Sequence, residues 1–213
     1  MLRRSTIPNL ITVARIALAP VIFLLLFVPT FSARFASFLL FLVAAFSDVW
    51  DGYLARKHGW ISDFGKLVDP IADKLLLAAT FLPFYMLTHP ASPATRMPLV
   101  DVLPLWIVVI VFGREALVTG IRWLAARRGA VMAAGKAGKL KALFQNIFIG
   151  ATILWFALRT AAVSRGWGGG LWSFWLVVHG AFLLLSLMIA VTLTIWSLVV
   201  YLREWRLTMR GVL

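Results

Sequence analysis

Two pairs of aspartates are the residues whose type and spacing could do chemistry. Asp48 and Asp51 are three residues apart, and Asp69 and Asp73 are four residues apart. Either spacing places both members of a pair on the same face of an α-helix. The segment between the pairs is short enough to join two neighbouring antiparallel helices. We therefore expect the four carboxylates to converge on one site.

The donors of such a cluster restrict its chemistry. Carboxylates that converge in a medium of low dielectric repel one another unless cations or protons compensate them. The chain has no cysteine, and no histidine lies on either stripe, so the site offers oxygen ligands alone. Such ligands suit Mg²⁺, Mn²⁺ or Ca²⁺, and Mg²⁺ usually completes its shell with water and substrate phosphate. The pattern indicates phosphate chemistry; ion pairs with Arg56, Lys66 or Lys74 are the purely structural alternative.

The elements that must position these acids are membrane-spanning helices. The chain of 213 residues is 62% hydrophobic and 14% charged, whereas a soluble domain carries about 25% charged residues. This composition excludes a disordered chain, and the absence of cysteine excludes a disulfide scaffold. About 20 predominantly apolar residues span a bilayer as a helix. Six stretches qualify, namely 8–28, 35–55, 66–88, 101–126, 141–163 and 171–202.

The predicted fold is therefore all-α, a single membrane domain over residues 1–213 with six transmembrane helices, because only helices and closed barrels span lipid. The chain has 21 Lys and Arg against 8 Asp and Glu. Nucleic-acid binding is one interpretation of a basic chain, but the concentration of Lys and Arg in alternate connecting segments favours a membrane protein. This bias predicts that both termini, residues 56–66 and residues 122–141 are cytoplasmic. We therefore predict a multi-pass protein of the cytoplasmic (inner) membrane whose site faces the cytoplasm.

Together the two acidic stretches resemble the signature of the CDP-alcohol phosphotransferases. It is matched without a gap or substitution by Asp48, Asp51, Gly52, Ala55, Arg56, Gly65, Asp69 and Asp73. Residues 8–15 and 69–74 resemble the branch of this family that contains the phosphatidylglycerophosphate synthases. Arg114-Glu115 and residues 138–141 resemble later basic motifs of that branch. Ala142 departs from the pattern, since many relatives have Thr there.

The resemblance implies a reaction and a set of roles. An acceptor alcohol attacks the β-phosphorus of CDP-diacylglycerol, and CMP is released. Mg²⁺ or Mn²⁺, as a pair of ions, would be bound by Asp48, Asp51, Asp69 and Asp73, and Asp73 would also serve as general base. The nucleotide and its diphosphate would be bound by Asn9, Thr12, Gly52, Ala55 and Arg56. Ordinary helix capping and packing is the alternative role for Asn9 and Thr12. The family also suggests a homodimer.

The acceptor is inferred from the basic residues. Arg114 lies well inside a predicted span, where an unpaired cation is costly. Arg114 is a candidate to bind the phosphate of glycerol 3-phosphate, together with Arg122, Lys139 and Lys141. The structural alternative is that Arg114 forms an ion pair with Glu115 or with an aspartate of the signature. The predicted partners are thus CDP-diacylglycerol, glycerol 3-phosphate and the lipid bilayer, with no nucleic acid.

Two other functions stay open at this point. A cardiolipin synthase would use the same chemistry with phosphatidylglycerol as acceptor, but that lipid lacks a terminal phosphomonoester and has less use for a cluster of cations. A metal-ion or proton-coupled transporter would also place acids in the membrane. Transporters often have paired repeats and broken helices near the midplane, whereas here the acids cluster near one membrane face and no repeat is visible.

Overall fold

The protein is an all-helical bundle. The computed structural model describes residues 6–58, 63–90, 95–129 and 135–210. Within these ranges it has six helices, α1 (Thr6–Phe27), α2 (Phe31–His58), α3 (Asp63–Thr88), α4 (Leu105–Arg127), α5 (Lys136–Arg165) and α6 (Gly170–Arg210). The predicted all-α fold with six helices is confirmed. Helix α5 begins five residues earlier than predicted, and α6 ends eight residues later.

The helices have the length and composition of membrane spans, with one exception. Five of those described are long and apolar enough to cross a bilayer, namely α1, α2, α3, α5 and α6. The exception is α4, whose 23 residues include Arg114, Glu115, Arg122 and Arg127. Its crossing of the membrane stays a prediction. Helix α6 has 41 residues, or roughly 60 Å at 1.5 Å per residue, so it must tilt or project beyond the hydrocarbon core.

Local sequence explains where neighbouring helices end. Helix α5 stops because Gly166 adopts a left-handed conformation (φ 64°) and α6 begins four residues later, as glycine commonly allows at a helix C-terminus. The turn between α5 and α6 is therefore a short glycine-rich segment. At the α1–α2 turn, the buried Arg34 donates a hydrogen bond from Nε to the carbonyl of Leu26 (3.3 Å) and one from Nη1 to Thr160 Oγ1 (2.5 Å). These bonds satisfy a carbonyl in the last turn of α1 and join the turn to α5.

One apolar core runs through the described part of the bundle. Helix α1 packs against both α2 and α3, whereas α5 packs against α6 and α2. Phe81 and Phe84 of α3 meet Phe148 and Phe156 of α5, with ring centroids 5.7–6.3 Å apart where they pair. Aromatic pairs at this separation add to the stabilisation from apolar burial. This packing fixes α1, α2, α3 and α5 beside one another, and these are the helices that carry the acidic site.

The connection between α3 and α4 folds back onto α6 near the opposite end of the bundle from the acids. Met97 and Asp101 exchange two backbone hydrogen bonds of 2.9 Å, and Trp155 donates its indole N–H to the carbonyl of Arg96 (2.9 Å). A Cβ built on Gly180 of α6 would lie 3.0 Å from the Cβ of Pro98. Glycine is therefore the residue that lets this connection approach α6 so closely.

Candidate active site

A buried arginine lies at the centre of the acidic site. Arg15 of α1 is 1% exposed. Its Nη1 donates hydrogen bonds to Asp48 Oδ1 of α2 and, at 2.9 Å, to Asp73 Oδ1 of α3. Its Nη2 lies 3.6 Å from Asp69 Oδ1. Three of the four predicted acids therefore converge on one guanidinium, which confirms that α2 and α3 present their carboxylates to a common point.

Helix α1 supplies a second polar contact to the same cluster. Thr12 lies one turn before Arg15 and is 1% exposed, and its hydroxyl donates to Asp69 Oδ1 at 2.7 Å. The carboxylates remain accessible on their other side, since the side chains of Asp48, Asp69 and Asp73 are 42%, 49% and 59% exposed. Helix α1 thus contacts the carboxylates on their buried side, and their exposed oxygens remain accessible to a ligand.

The remaining residues of the signature lie at the edge of what the structure describes. Asp51, Gly52, Ala55 and Arg56 belong to the last turns of α2. Their side chains, and that of Lys66, lie outside the described part of the chain. Their predicted roles in binding metal and diphosphate stay predictions, as does that of Asn9, which is half-buried in α1 one turn before Thr12.

A cavity of about 140 Å³ opens beside the carboxylates of Asp48 and Asp73, and we call it the acidic cavity. Five helices line it, with Arg15, Asp48, Asp73, Lys74, Glu115 and Lys141 as its charged residues. Ala142, the position that departs from the family pattern, also lines it. Both signs of charge therefore face one small space, and an anionic group could contact Lys141 while bridging, through a cation, to the acids.

The cations predicted to bind the acceptor are separated by the structure. Lys141 of α5 is buried in the acidic cavity and forms an ion pair with Glu115 Oε1. Arg114 also pairs with Glu115 (3.1 Å), and its Nε donates to Ser197 Oγ (3.2 Å). The pairing of Arg114 with Glu115, the structural alternative from the sequence, is thus present.

The other two predicted cations do not line the acidic cavity, and Arg122 instead lines a smaller cavity together with Arg114. Arg122 is exposed on α4, where its Nε donates to the hydroxyl of Tyr201 (3.3 Å) and its guanidinium lies 5.5 Å from that ring. Lys139 is exposed and does not line the acidic cavity. Lys141 is therefore the predicted acceptor residue that the structure places nearest to the acids.

The carboxylate oxygens of the cavity are suitable ligands for a divalent cation, although the described residues are not arranged around a single ion. Carboxylate oxygens are the ligands that Mg²⁺ and Mn²⁺ prefer. Within the described ranges no group of three or more acidic or histidine side chains is spaced to hold one ion. The oxygens of Asp48 and Asp73 instead share the Nη1 of Arg15, and the side chain of Asp51 is not described. The carboxylate oxygens are thus of the type that binds the predicted metal. In this structure the described acids contact the guanidinium of Arg15 instead.

An apolar groove adjoins the acidic cavity. Its volume is about 530 Å³, and it lies between α2, α5 and α6, lined by residues such as Phe38, Leu42, Ile147 and Phe182. Ala45 and Asn146 line both spaces. A ligand could therefore place a polar group among the charges and an apolar chain in the groove.

Sequence reasoning missed two charged residues of this site. In the sequence, Arg15 lies within the first predicted span on one helical arc with Asn9 and Thr12, and Glu115 directly follows Arg114. The available signal was their depth, because an ionisable residue inside a span usually has a partner or a function. Lys74, which the sequence offered as a partner for the acids, donates to Thr119 Oγ1 at 2.8 Å.

Comparison with known proteins places this site in a family. The CDP-alcohol phosphatidyltransferase family matches residues 5–202. The chain belongs to this family. It is 35% identical, over 160 residues, to the CDP-diacylglycerol–glycerol-3-phosphate 3-phosphatidyltransferase of Bacillus subtilis, a match that covers 70% of this chain and 76% of the relative.

Two further relatives carry related names. A chloroplastic and mitochondrial CDP-diacylglycerol–glycerol-3-phosphate 3-phosphatidyltransferase of Arabidopsis thaliana is 34% identical over 210 residues, which are 96% of this chain and 64% of the relative. A probable phosphatidylglycerophosphate synthase of Mycobacterium tuberculosis is 35% identical over 155 residues, covering 71% of this chain and 68% of the relative. The CDP-alcohol phosphotransferase signature and the acidic cavity thus occur in a chain whose relatives are named as enzymes of phospholipid synthesis.

Proposed function

We propose that this membrane enzyme transfers the phosphatidyl group of CDP-diacylglycerol to sn-glycerol 3-phosphate, with release of CMP. The observation that carries the proposal is the convergence of three accessible carboxylates, those of Asp48, Asp69 and Asp73, beside a cavity that Lys141 also lines. The names of the relatives supply the donor and the acceptor. The product is then phosphatidylglycerophosphate.

The donor substrate, CDP-diacylglycerol, occupies both the acidic cavity and the apolar groove. The diphosphate of CDP-diacylglycerol lies at the acids, where Asp48, Asp51, Asp69 and Asp73 would hold Mg²⁺ or Mn²⁺. When bound, such ions would neutralise the negative charge on the phosphates during the displacement. An acyl chain occupies the apolar groove, because that groove shares Ala45 and Asn146 with the acidic cavity. This placement keeps the reacting phosphate at the polar end of the site and the lipid tail in apolar surroundings.

The reaction is a displacement at phosphorus. The acceptor hydroxyl oxygen forms a bond to the β-phosphorus, and the bond from that phosphorus to the oxygen of CMP breaks. Asp73 accepts the hydroxyl proton, since its carboxylate is the most exposed of the three described acids and a general base must lie within hydrogen-bond reach of the proton that it removes. Lys141 faces the same cavity and binds the phosphate of the acceptor. The Lys and Arg bias of the sequence supports a cytoplasmic orientation for this site, and a homodimer stays a prediction from the resemblance.

The test is an assay of purified protein for CMP release from CDP-diacylglycerol with Mg²⁺ or Mn²⁺ and a panel of acceptors. The proposal expects release that depends on glycerol 3-phosphate and that chelation abolishes. Release with phosphatidylglycerol but not with glycerol 3-phosphate would establish cardiolipin synthesis instead. An absence of release with every alcohol, together with metal-ion or proton flux in vesicles, would support a transporter.

A further inference from the structure

The most unusual residue of the acidic site is one to which the family signature gives no role. Arg15 belongs to α1, whereas the signature acids belong to α2 and α3. One nitrogen of its guanidinium contacts Asp48 and Asp73 at once, and the other lies near Asp69. We propose that Arg15 is the positioning residue of the acidic site, a built-in cation that holds the acids of two helices together when no divalent cation is bound.

The charges of the described residues explain why a built-in cation is needed. Asp48, Asp69 and Asp73 together carry a charge of minus three when ionised, and like charges this close disfavour ionisation or separate. Arg15 compensates one of these charges, and the charge that remains is left for bound divalent cations to neutralise. Because α1 packs against both α2 and α3, a cation on α1 can reach carboxylates of both helices. The planar fork of arginine suits this task, since its nitrogens can contact several oxygens in fixed directions.

A second buried arginine distinguishes this role from ordinary helix packing. Arg34 is 2% exposed, against 1% for Arg15. Its hydrogen-bond partners are neutral, the carbonyl of Leu26 and the hydroxyl of Thr160. Loss of Arg34 should weaken the bundle without altering its need for cations. Loss of Arg15 should weaken the bundle and also leave the acids to be compensated from solution.

The inference rests on the proposed function for the identity of the cation, Mg²⁺ or Mn²⁺, but its test needs no turnover. Thermal unfolding of the purified wild type, Arg15→Gln and Arg34→Gln would be followed by tryptophan fluorescence, in EDTA and in saturating Mg²⁺. Replacing the buried Arg15, whose partner carboxylates are 42–59% exposed, should lower Tm in EDTA by several degrees. We expect Mg²⁺ to restore at least half of that loss in Arg15→Gln. We expect it to raise the Tm of Arg34→Gln by no more than it raises that of the wild type.

A charge-balanced double variant gives a second, independent readout. Asp48→Asn removes one of the carboxylates that Arg15 compensates, so Arg15→Gln with Asp48→Asn should melt at a higher temperature in EDTA than Arg15→Gln alone. The same substitution should give no rescue when it is combined with Arg34→Gln. If Arg15→Gln does not fold, recovery of folded protein by the double variant supports the inference.

Two results would overturn the positioning role. One is an equal Mg²⁺ shift in the wild type and in Arg15→Gln, and the other is a double variant no more stable than Arg15→Gln. A transferase that shows either result would keep its proposed function and lose only this role for Arg15. If the wild type shows no transferase activity but Mg²⁺ restores the Tm of Arg15→Gln as predicted, the positioning role of Arg15 stands and the proposed function fails.

Discussion

Substitution of Lys141 by methionine tests how the acceptor is bound. The side chain of Lys141 is 7% exposed, lines the acidic cavity and forms an ion pair with Glu115. Methionine keeps the apolar stem of the side chain and removes its charge. Glu115 keeps Arg114 as a partner at 3.1 Å, so the substitution does not strand a buried carboxylate. We therefore expect Lys141→Met to fold and to bind CDP-diacylglycerol normally.

The expected effect is on the acceptor alone. One hydrogen bond to a charged group contributes about 1.5–3 kcal/mol, which corresponds to a roughly 10- to 150-fold increase in KM for glycerol 3-phosphate. Initial rates of CMP release would be measured against glycerol 3-phosphate at saturating CDP-diacylglycerol, and then against the donor at saturating acceptor. The KM for the donor should stay nearly unchanged.

Lys139 provides the matched control for this experiment. It lies two residues earlier in α5, is exposed, and does not line the acidic cavity. Because Lys139 does not line the acidic cavity, Lys139→Met should leave the acceptor KM nearly unchanged. Equal effects of Lys139→Met and Lys141→Met would refute the assignment of the acceptor phosphate to the cavity. A rise in both KM values for Lys141→Met would indicate a structural role instead.

Two further predictions concern packing and orientation. Gly180→Ala should lower Tm by several degrees relative to Gly120→Ala, because overpacking costs about 1–3 kcal/mol of folding stability. The new Cβ at position 180 would lie 3.0 Å from the Cβ of Pro98, whereas nothing lies within 4 Å of a Cβ on Gly120. Equal Tm values for the two variants in thermal unfolding would contradict the close approach of the α3–α4 connection to α6. If the Lys and Arg bias sets the orientation in the membrane, an impermeant thiol reagent should label Gly168→Cys in intact cells but not Ala130→Cys. The reverse labelling pattern would show that the protein has the opposite orientation.

The sequence predicted the fold and the acids because both are local patterns. Six apolar stretches correspond to six helices, and a stripe such as Asp69 and Asp73 shares a helix face wherever the helix lies. Helix ends were less accurate, since the start of α5 at Lys136 lies in a basic segment that hydropathy does not recognise as part of a span. Helical turns that project beyond the hydrocarbon core are polar, so hydropathy does not detect them.

The partners of the charges could not be predicted, because they depend on how helices are rotated against one another. Arg15 and Asp73 are 58 residues apart in sequence, and Lys141 and Glu115 are 26 apart. The two lysines of α5 show the same limit, since Lys139 is exposed and Lys141 is buried. Both resembled a basic family motif equally well, and only the rotation of α5 in the bundle, which turns Lys141 toward Glu115 of α4, separates them.

The most direct test of the central claim is the incorporation of radiolabelled glycerol 3-phosphate into lipid by the wild type, Asp73→Asn and Asp101→Asn. The two aspartates have side chains of equal exposure, 59% in each case, but Asp101 lies in the α3–α4 connection and pairs with Arg96. Loss of a group that binds metal or acts as general base should reduce the rate by about 100-fold or more. We predict that loss for Asp73→Asn and near-normal incorporation for Asp101→Asn. Near-normal incorporation by Asp73→Asn would contradict the assignment of the chemistry to the acids of α2 and α3.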